Sequence, residues 1–486
     1  MSKIEYSELA PGFRISRVLT GMWQVADLEK DGNTLDPIAA AKHMIPYVEA
    51  GFTTFDMADH YGSAEVIAGH FKNAEAAGRH AQMLTKWVPK PGPVTREEVR
   101  EGVERALQRL ETERLDLLQY HAWNYADPNW LDSLFWLRDL RDEGLIAHLG
   151  VTNFDAAHVR VAVASGIPII TNQVSFSLLD QRAAGAMTEV CKKYRVRLLA
   201  YGTLAGGFLS EQWLGQPEPT ELSTWSQMKY KRFIDAAGGW DRFQGLLRVV
   251  ASVAARHDVS IAAVASRHVL DQPAVCGVIL GARLGQNDHI NENRAIFKLK
   301  LEDRDRRELQ EAISSLEPIP GGCGDEYRKP PFLTAAGDLS DHYDSIPPAF
   351  VPEKDDNGTQ RVFSGTSWED FAGYCRAIRH GNTIEVSGTT ATQGSRIIGG
   401  IDPAAQTHFV IDKILGAIES LGGSLEDVVR TRVFIKNMND WERVARAHGE
   451  RFGHIKPANT LVEARLVGDE YLVEIEARAV ISDRRD

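Results

Sequence analysis

TTFDMADHYGSAE, residues 53–65, carries a short β-like run into Asp56, places Tyr61 five residues further on, and opens a helix just past Gly62. A strand that delivers a carboxylate and a phenol into one turn belongs at the mouth of a βα unit, and such units repeat along the chain. From about residue 15 to 315 short apolar runs alternate with amphipathic helical patterns. The predicted strands are RVLTG (17–21), TTFDM (53–57), QMLTK (82–86), LDLLQYH (115–121), AHLGVT (147–152), IITNQV (169–174), RLLAY (197–201) and CGVILG (276–281). Eight strand–helix units predict an α/β fold of the (β/α)8 TIM-barrel type, with ligands held at the C-terminal ends of the strands. A doubly wound sheet is the competing architecture, but no G-x-G-x-x-G follows RVLTG.

Helix ends are legible between the strands. Asp36 before Pro37 reads as an N-cap with proline at the first helical position, and Gly51 as the close of that helix. Thr95 with Glu98 reads as a capping box, followed by Val99, Val103, Ala106 and Leu110 on one face.

The whole chain has 486 residues, 43% of them hydrophobic, which is long for one domain and ample for packed cores. A net charge of −12, from 67 acidic against 55 basic residues, argues against nucleic acid or an anionic membrane as partner. Cys191, Cys276, Cys323 and Cys375 are widely spaced with no CxxC pair, so neither a disulfide framework nor a metal site is expected. The N-terminal segment MSKIEYSELAPGFRISR lacks a signal-peptide core, and no run of about 18 apolar residues occurs. A soluble, cytoplasmic protein is the expectation.

Three regions follow from the change in texture: a barrel over 1–316, a Pro/Gly/Asp-rich connector over 317–362 that packs partly on the barrel, and a compact α+β domain over 363–486. In the last, CRAIRHGNTIEVSGTTAT reads as strands, PAAQTHFVIDKILGAIESLGG as a helix, and VVRTRVFIKN as a strand. DWERVARAHGERFG reads as a second helix, and NTLVEARLV and EYLVEIEARAVI as closing strands.

If the barrel forms, Asp56, Tyr61, Lys86 and His121 come from the ends of consecutive strands and converge at one mouth. A phenol with an ordinary pKa of about 10 is a reluctant acid or base unless a cation stabilises its anion. Lys86 supplies that cation, Asp56 holds Lys86, and His121 orients a substrate oxygen. Taken singly, each has an ordinary structural explanation: a turn aspartate, a packing tyrosine, a strand-end lysine and a satisfied histidine. Their joint placement on consecutive strand ends points to protonation of a carbonyl oxygen as hydride reaches carbon.

The segments FDMADHYG, LTKW, LDLLQYH, GVTNF, TNQVSFSLLD and AYGTLAGGFL resemble, in order over about 300 residues, the motifs of the aldo-keto reductase superfamily. The resemblance implies Asp56, Tyr61, Lys86 and His121 as the catalytic tetrad, with Tyr61 the general acid. It also implies a nicotinamide cofactor along the rim, met by Gly21, Trp23 and Gly281. Thr152, Asn153 and Gln173 would meet the carboxamide, Tyr201 would stack on the ring, and Gly202, Leu204 and Gly207 would cradle the pyrophosphate. In LGARLGQNDHINEN, Arg283, Gln286 and Asn293 match adenosine-phosphate contacts, with about two residues more than the commonest spacing and His289 near a basic position of the family. Arg283 favours NADP, with NAD as the alternative. Trp23, Trp87, Trp123 and Trp225 are expected around the mouth, suiting an apolar small-molecule carbonyl compound.

AGYCRAIRHGNTIEVSGTTAT, SLEDVVRTRVFIKN, PANTLVEARLV and LVEIEARAVI resemble the Rid (YjgF/YER057c/UK114) family over residues 365–483. The resemblance implies a chorismate-mutase-like fold, a homotrimer, and a cleft pocket at Tyr374, Asn459, Leu461 and Glu474. Asn459 stands where imine-hydrolysing members carry an arginine, and an amide cannot make that bidentate contact. The expected function is NAD(P)H-dependent reduction of an aldehyde or ketone. The alternatives are a cofactor-sensing regulatory module, and imine hydrolysis coupled to carbonyl reduction.

Overall fold

The computed structural model describes residues 3–286, 289–338 and 346–482. A hairpin, β1 (Tyr6–Ala10) and β2 (Phe13–Ser16), precedes eight parallel strands that close into a barrel. These are β3 (Val18–Gly21), β4 (Thr54–Asp56), β5 (Gln82–Trp87), β6 (Leu115–His121), β7 (Ile146–Thr152), β8 (Ile169–Ser175), β9 (Arg197–Tyr201) and β10 (Val275–Gly281), with β10 pairing back onto β3. Each expected strand appears within a residue or two of its place. The hairpin was not anticipated; its Leu9 and Ile15 pack with Leu19, Leu84, Leu117 and Leu199 in the apolar plug inside the barrel.

Alternation along each strand sends one side chain to that interior and the next to the helical layer. Lys86 therefore points inward while Trp87 points out, its ring tilted against Tyr120 and abutting Gly102 of helix Arg96–Arg109. This corrects the expectation that Trp87 lines the mouth. Thr95 and Glu98 do form the reciprocal capping box. The helix expected from Asp36 to Gly51 is two helices, Pro37–Lys42 and Ile45–Glu49. Pro46 has no N–H to donate to the carbonyl of Lys42, so the ladder breaks there.

The C-terminal domain is a seven-stranded sheet in the order β11 (Glu353–Lys354), β12 (Gln360–Val362), β13 (Ala377–His380), β14 (Thr383–Thr390), β19 (Val473–Val480), β17 (Val428–Ile435) and β18 (Ala458–Glu463). A separate ribbon pairs β15 (Thr392–Gln393) with β16 (Arg396–Ile397). Because β12 pairs onto β13 and β11 onto β12, the sheet begins ten residues before the expected boundary at 363. Helix Pro403–Ser420 is buried along its whole length except at Glu419 and packs on β14, β19 and helix Trp441–Phe452, and against barrel helix Ala156–Ala164. A helix buried on every side is a seam between two bodies.

The connector does pack on the barrel, around the turn Asp325–Tyr327; its residues 339–345 lie outside the described residues. Gly324 shows how close the approach is. Its φ is +82°, and a Cβ there would sit 1.8 Å from the carbonyl oxygen of Asn153. Among the described residues, no single helix is long and apolar enough to cross a membrane.

Candidate active site

The strand register sets the site. Gly281 pairs with Gly21 and Gly21 with Asp56; Lys86 pairs with Gln119; His121 pairs with Thr152 and Thr152 with Gln173. The functional side chains thus lie at one level around the rim, over a cavity of about 760 Å³.

All four tetrad positions line that cavity. The Lys86 ammonium donates to Asp56 Oδ2 and to the Met57 carbonyl, both at 2.7 Å, and lies 4.8 Å from the Tyr61 ring centroid. Burial pushes the Lys86 pKa down, with the Asp56 carboxylate opposing. Tyr61 moves the other way: burial first, and then the Asp56 charge, raise its pKa well above the usual value. Tyr61 therefore keeps its proton at neutral pH. His121 is held well below its ordinary pKa by burial and then by the Arg328 charge. His121 Nδ1 lies 3.5 Å from Asn153 Nδ2, and the backbone of Thr152 bonds the same ring. The ring's Nε2 is buried and has no protein partner.

Gln173, expected at a cofactor carboxamide, also serves the tetrad: its amide donates to Asp56 Oδ1 at 2.7 Å. Gln119, two residues before His121 and so on the same face, lies 3.4 Å from that oxygen and 3.3 Å from Gln173. Sequence reasoning missed Gln119, although the inward alternation of LDLLQYH pointed to it. Asn153 has a left-handed φ of +60° and accepts from the Tyr201 hydroxyl at 2.7 Å.

Further residues have no local signal in the sequence. Lys229, on helix Trp225–Ala236, donates to the Tyr327 hydroxyl at 2.6 Å and pairs with Asp338 at 3.3 Å. Its ammonium stands within 6 Å of the Tyr201, Tyr230 and Tyr327 rings. Tyr327 in turn meets His121 edge-on at 5.4 Å. The connector therefore forms part of the wall, together with Trp23, Trp123 and Trp225.

Gly21, Trp23, Thr152, Asn153, Gln173, Tyr201, Gly202, Leu204 and Gly207 line the cavity, as do Gly281, Arg283 and Asn293. The residues suit an extended dinucleotide. Gly207, at φ +93°, leaves open space where a Cβ would stand, as close backbone approach to a phosphate needs. Buried Gln24 Oε1 and Ser266 Oγ, on residues lining the same cavity, lack protein partners. Arg283 is shared with Asp27 at 3.0 Å, and His289 is paired with Glu292. Gln286 does not line the cavity; it closes a turn on the Arg283 carbonyl and is exposed, which corrects its expected contact. The following Asn287 and Asp288 lie outside the described residues.

In the C-terminal domain, Tyr374 lies 5.9 Å from the Arg376 guanidinium, and the Arg376 charge also acts on Glu474, whose pKa burial raises. Asn459 and Leu461 sit on β18, separated from β19 by β17. A single chain thus divides the four pocket residues into two pairs. The Asn459 amide is engaged by Thr431 Oγ1 at 2.9 Å.

The barrel with its rim of converging strand ends defines the class of the protein, and comparison with known proteins gives the family. Residues 17–314 match the aldo/keto reductase family, and residues 366–481 match the family described as Endoribonuclease L-PSP. Aldo-keto reductase YhdN of Bacillus subtilis is 25% identical over 352 residues, covering 68% of this chain and 98% of its own. An uncharacterized protein of Streptomyces coelicolor is 36% identical over 121 residues, covering 25% of this chain and 90% of its own. The solved glycerol dehydrogenase AKR11B4 of Gluconobacter oxydans shares the barrel fold, with a TM-score of 0.52 at 21% identity over 66% of this chain and 97% of that one. The chain belongs to the aldo/keto reductase family, whose members use nicotinamide cofactors, and carries a Rid-type domain behind the barrel.

Proposed function

We propose that the barrel reduces an aldehyde or ketone to an alcohol, with NADPH preferred over NADH, while the C-terminal domain assembles the chain as a trimer and binds a small metabolite. The observation that carries the reading is the Asp56–Lys86–Tyr61 arrangement facing the unpaired Nε2 of His121 across one cavity. Thr152, Asn153, Gln173 and Tyr201 would hold the nicotinamide end of the cofactor, and Arg283 and Asn293 the adenosine end. The bound cofactor supplies hydride. The Nε2–H of neutral His121 donates to the carbonyl oxygen and orients it, and Tyr61 gives that oxygen its proton. As the proton leaves, the Lys86 ammonium beside the ring, itself anchored on Asp56, stabilises the charge appearing on the phenol oxygen. The NADP preference rests on Arg283 offering its fork to a 2′-phosphate in competition with Asp27. The C-terminal domain, with an engaged amide at Asn459, would lack imine hydrolysis directed at amino-acid-derived imines.

Tryptophan fluorescence titrated with NADPH and with NADH tests the cofactor reading, since Trp23 and Trp225 line the cavity. Tight NADPH and weaker NADH binding is expected, and binding of neither overturns it. Tyr61→Phe should lower turnover by about a thousandfold while NADPH affinity stays within about threefold. Retained turnover takes Tyr61 out of the acid role.

A further inference from the structure

His158, on barrel helix Ala156–Ala164, is buried between two carboxylates of different domains. Its Nδ1 lies 2.6 Å from Asp155 Oδ1 and its Nε2 2.9 Å from Asp412 Oδ2 on helix Pro403–Ser420. Arg451, on helix Trp441–Phe452, donates to the other oxygen of Asp412 at 2.6 Å. One face of the imidazole stacks on Tyr125, with centroids 3.4 Å apart and planes 7° from parallel. The Tyr125 ring also carries the Arg328 guanidinium, at 4.3 Å. Arg328, from the connector, donates to the backbone carbonyls of Ala122 and Asn153, at 2.9 and 2.7 Å. Ala122 follows His121 in the chain, and the Asn153 amide lies 3.5 Å from His121 Nδ1.

Every link is a close contact between buried or half-buried groups, and the series joins three separate parts of the chain. We propose that the C-terminal domain holds the reductase site in its working geometry through this series, Arg451–Asp412–His158–Tyr125–Arg328, with His158 and Arg328 as positioning residues for His121 and Asn153. The proposal rests on the reductase reading for its catalytic consequence. Its structural content, that Asp412 controls the order of the β6 and β7 ends, stands apart from that reading. A small displacement of a group that aims substrate or cofactor is costly, since positioning alone supplies several orders of magnitude in rate. Removal of a link should therefore lower kcat more than it weakens cofactor binding, since the contacts proposed for the adenosine end, Arg283 and Asn293, are not part of the series.

The test uses the full-length chain with Asp412→Asn, Arg328→Met and the double substitution, with 4-nitrobenzaldehyde and NADPH as probes. Three readouts are taken: kcat against KM, NADPH Kd by fluorescence, and hydrogen–deuterium exchange of residues 121–126 and 151–156. Each single substitution should lower kcat about tenfold or more, leave KM and Kd within about twofold, and speed exchange in those two segments but not in the rest of the barrel. The double substitution should be no worse than Arg328→Met, because both act along one series. Wild-type kcat and wild-type exchange in Asp412→Asn overturn the proposal, as do additive losses or faster exchange throughout the barrel. If the unsubstituted protein turns over no carbonyl probe, the reductase reading fails. Faster exchange confined to 121–126 and 151–156 in Asp412→Asn would then still support the coupling, and unchanged exchange would remove it.

Discussion

Asp56 is the residue on which the site turns. Its two oxygens are divided, one to the Lys86 ammonium and the other to the amides of Gln173 and Gln119. A buried carboxylate left without its donors pays the desolvation penalty with nothing in return, and hydrogen bonds to charged groups contribute about 1.5–3 kcal/mol each. Gln173→Leu should therefore lower kcat/KM by about tenfold or more while the fold persists, measured by steady-state kinetics beside a thermal melt. Unchanged kcat/KM would show that Lys86 alone suffices to hold Asp56. The tetrad was legible at this scale because each member ends or follows a readable strand. Gln119 was legible in principle from the inward alternation of LDLLQYH. Lys229 and Arg328 were not, since nothing local separates a buried helical lysine or a connector arginine from a solvated one.

At the scale of elements, helix Pro403–Ser420 buries Gln406, His408, Asp412 and Lys413 along with its apolar residues. The polar groups mark where it meets neighbours. Asp412 turns to the barrel, whereas Lys413 donates to the Thr392 carbonyl at 2.7 Å within its own domain. Burial, and then the Arg376 charge, lower the Lys413 pKa to about 8, with Glu369 opposing. The sign follows from linkage. Below about 8 the amine is charged in both folded and unfolded states, and its burial cost is fully present. Between that value and the ordinary lysine pKa of about 10.4, the unfolded chain binds the extra proton, so stability rises with pH. Lys413→Met should thus stabilise the protein by roughly 2 kcal/mol at pH 7, net of the lost hydrogen bond, with the gain shrinking as pH climbs through that window. Thermal melts of both proteins from pH 7 to 10 check it; a constant difference would refute the shift. The break at Pro46 and the early start of the C-terminal sheet belong to this scale too. Pro46 was visible in the sequence, whereas the two short strands β11 and β12 are too brief to show a period and exist only because β13 offers an edge.

For the whole molecule, two bodies share one seam. Gly416 shows its tightness: a Cβ there would lie 2.5 Å from the carbonyl oxygen of Ala126 on the barrel. The division of the C-terminal pocket residues into two pairs fits a site completed by a neighbouring copy. Light scattering on the eluting full-length protein should give three times the mass of one chain, and a monomer at micromolar concentration would refute the trimer.

What the sequence by itself determined is everything encoded by periodicity and strand ends: eight βα units, the rim on which Asp56, Lys86 and His121 meet, Tyr61 beside them, and an α+β domain after a connector. Alternation and helix period are local properties, so one chain read in order reveals them. Tertiary structure alone decided which groups neutralise one another. The Asp27–Arg283 pair, the Lys229 cage and the passage from Asp412 through His158 to Arg328 join residues far apart in sequence. Burial then determined the acid–base character of the site, raising Tyr61 and lowering His121, because the cost of charge depends on the surroundings that the folded chain assembles.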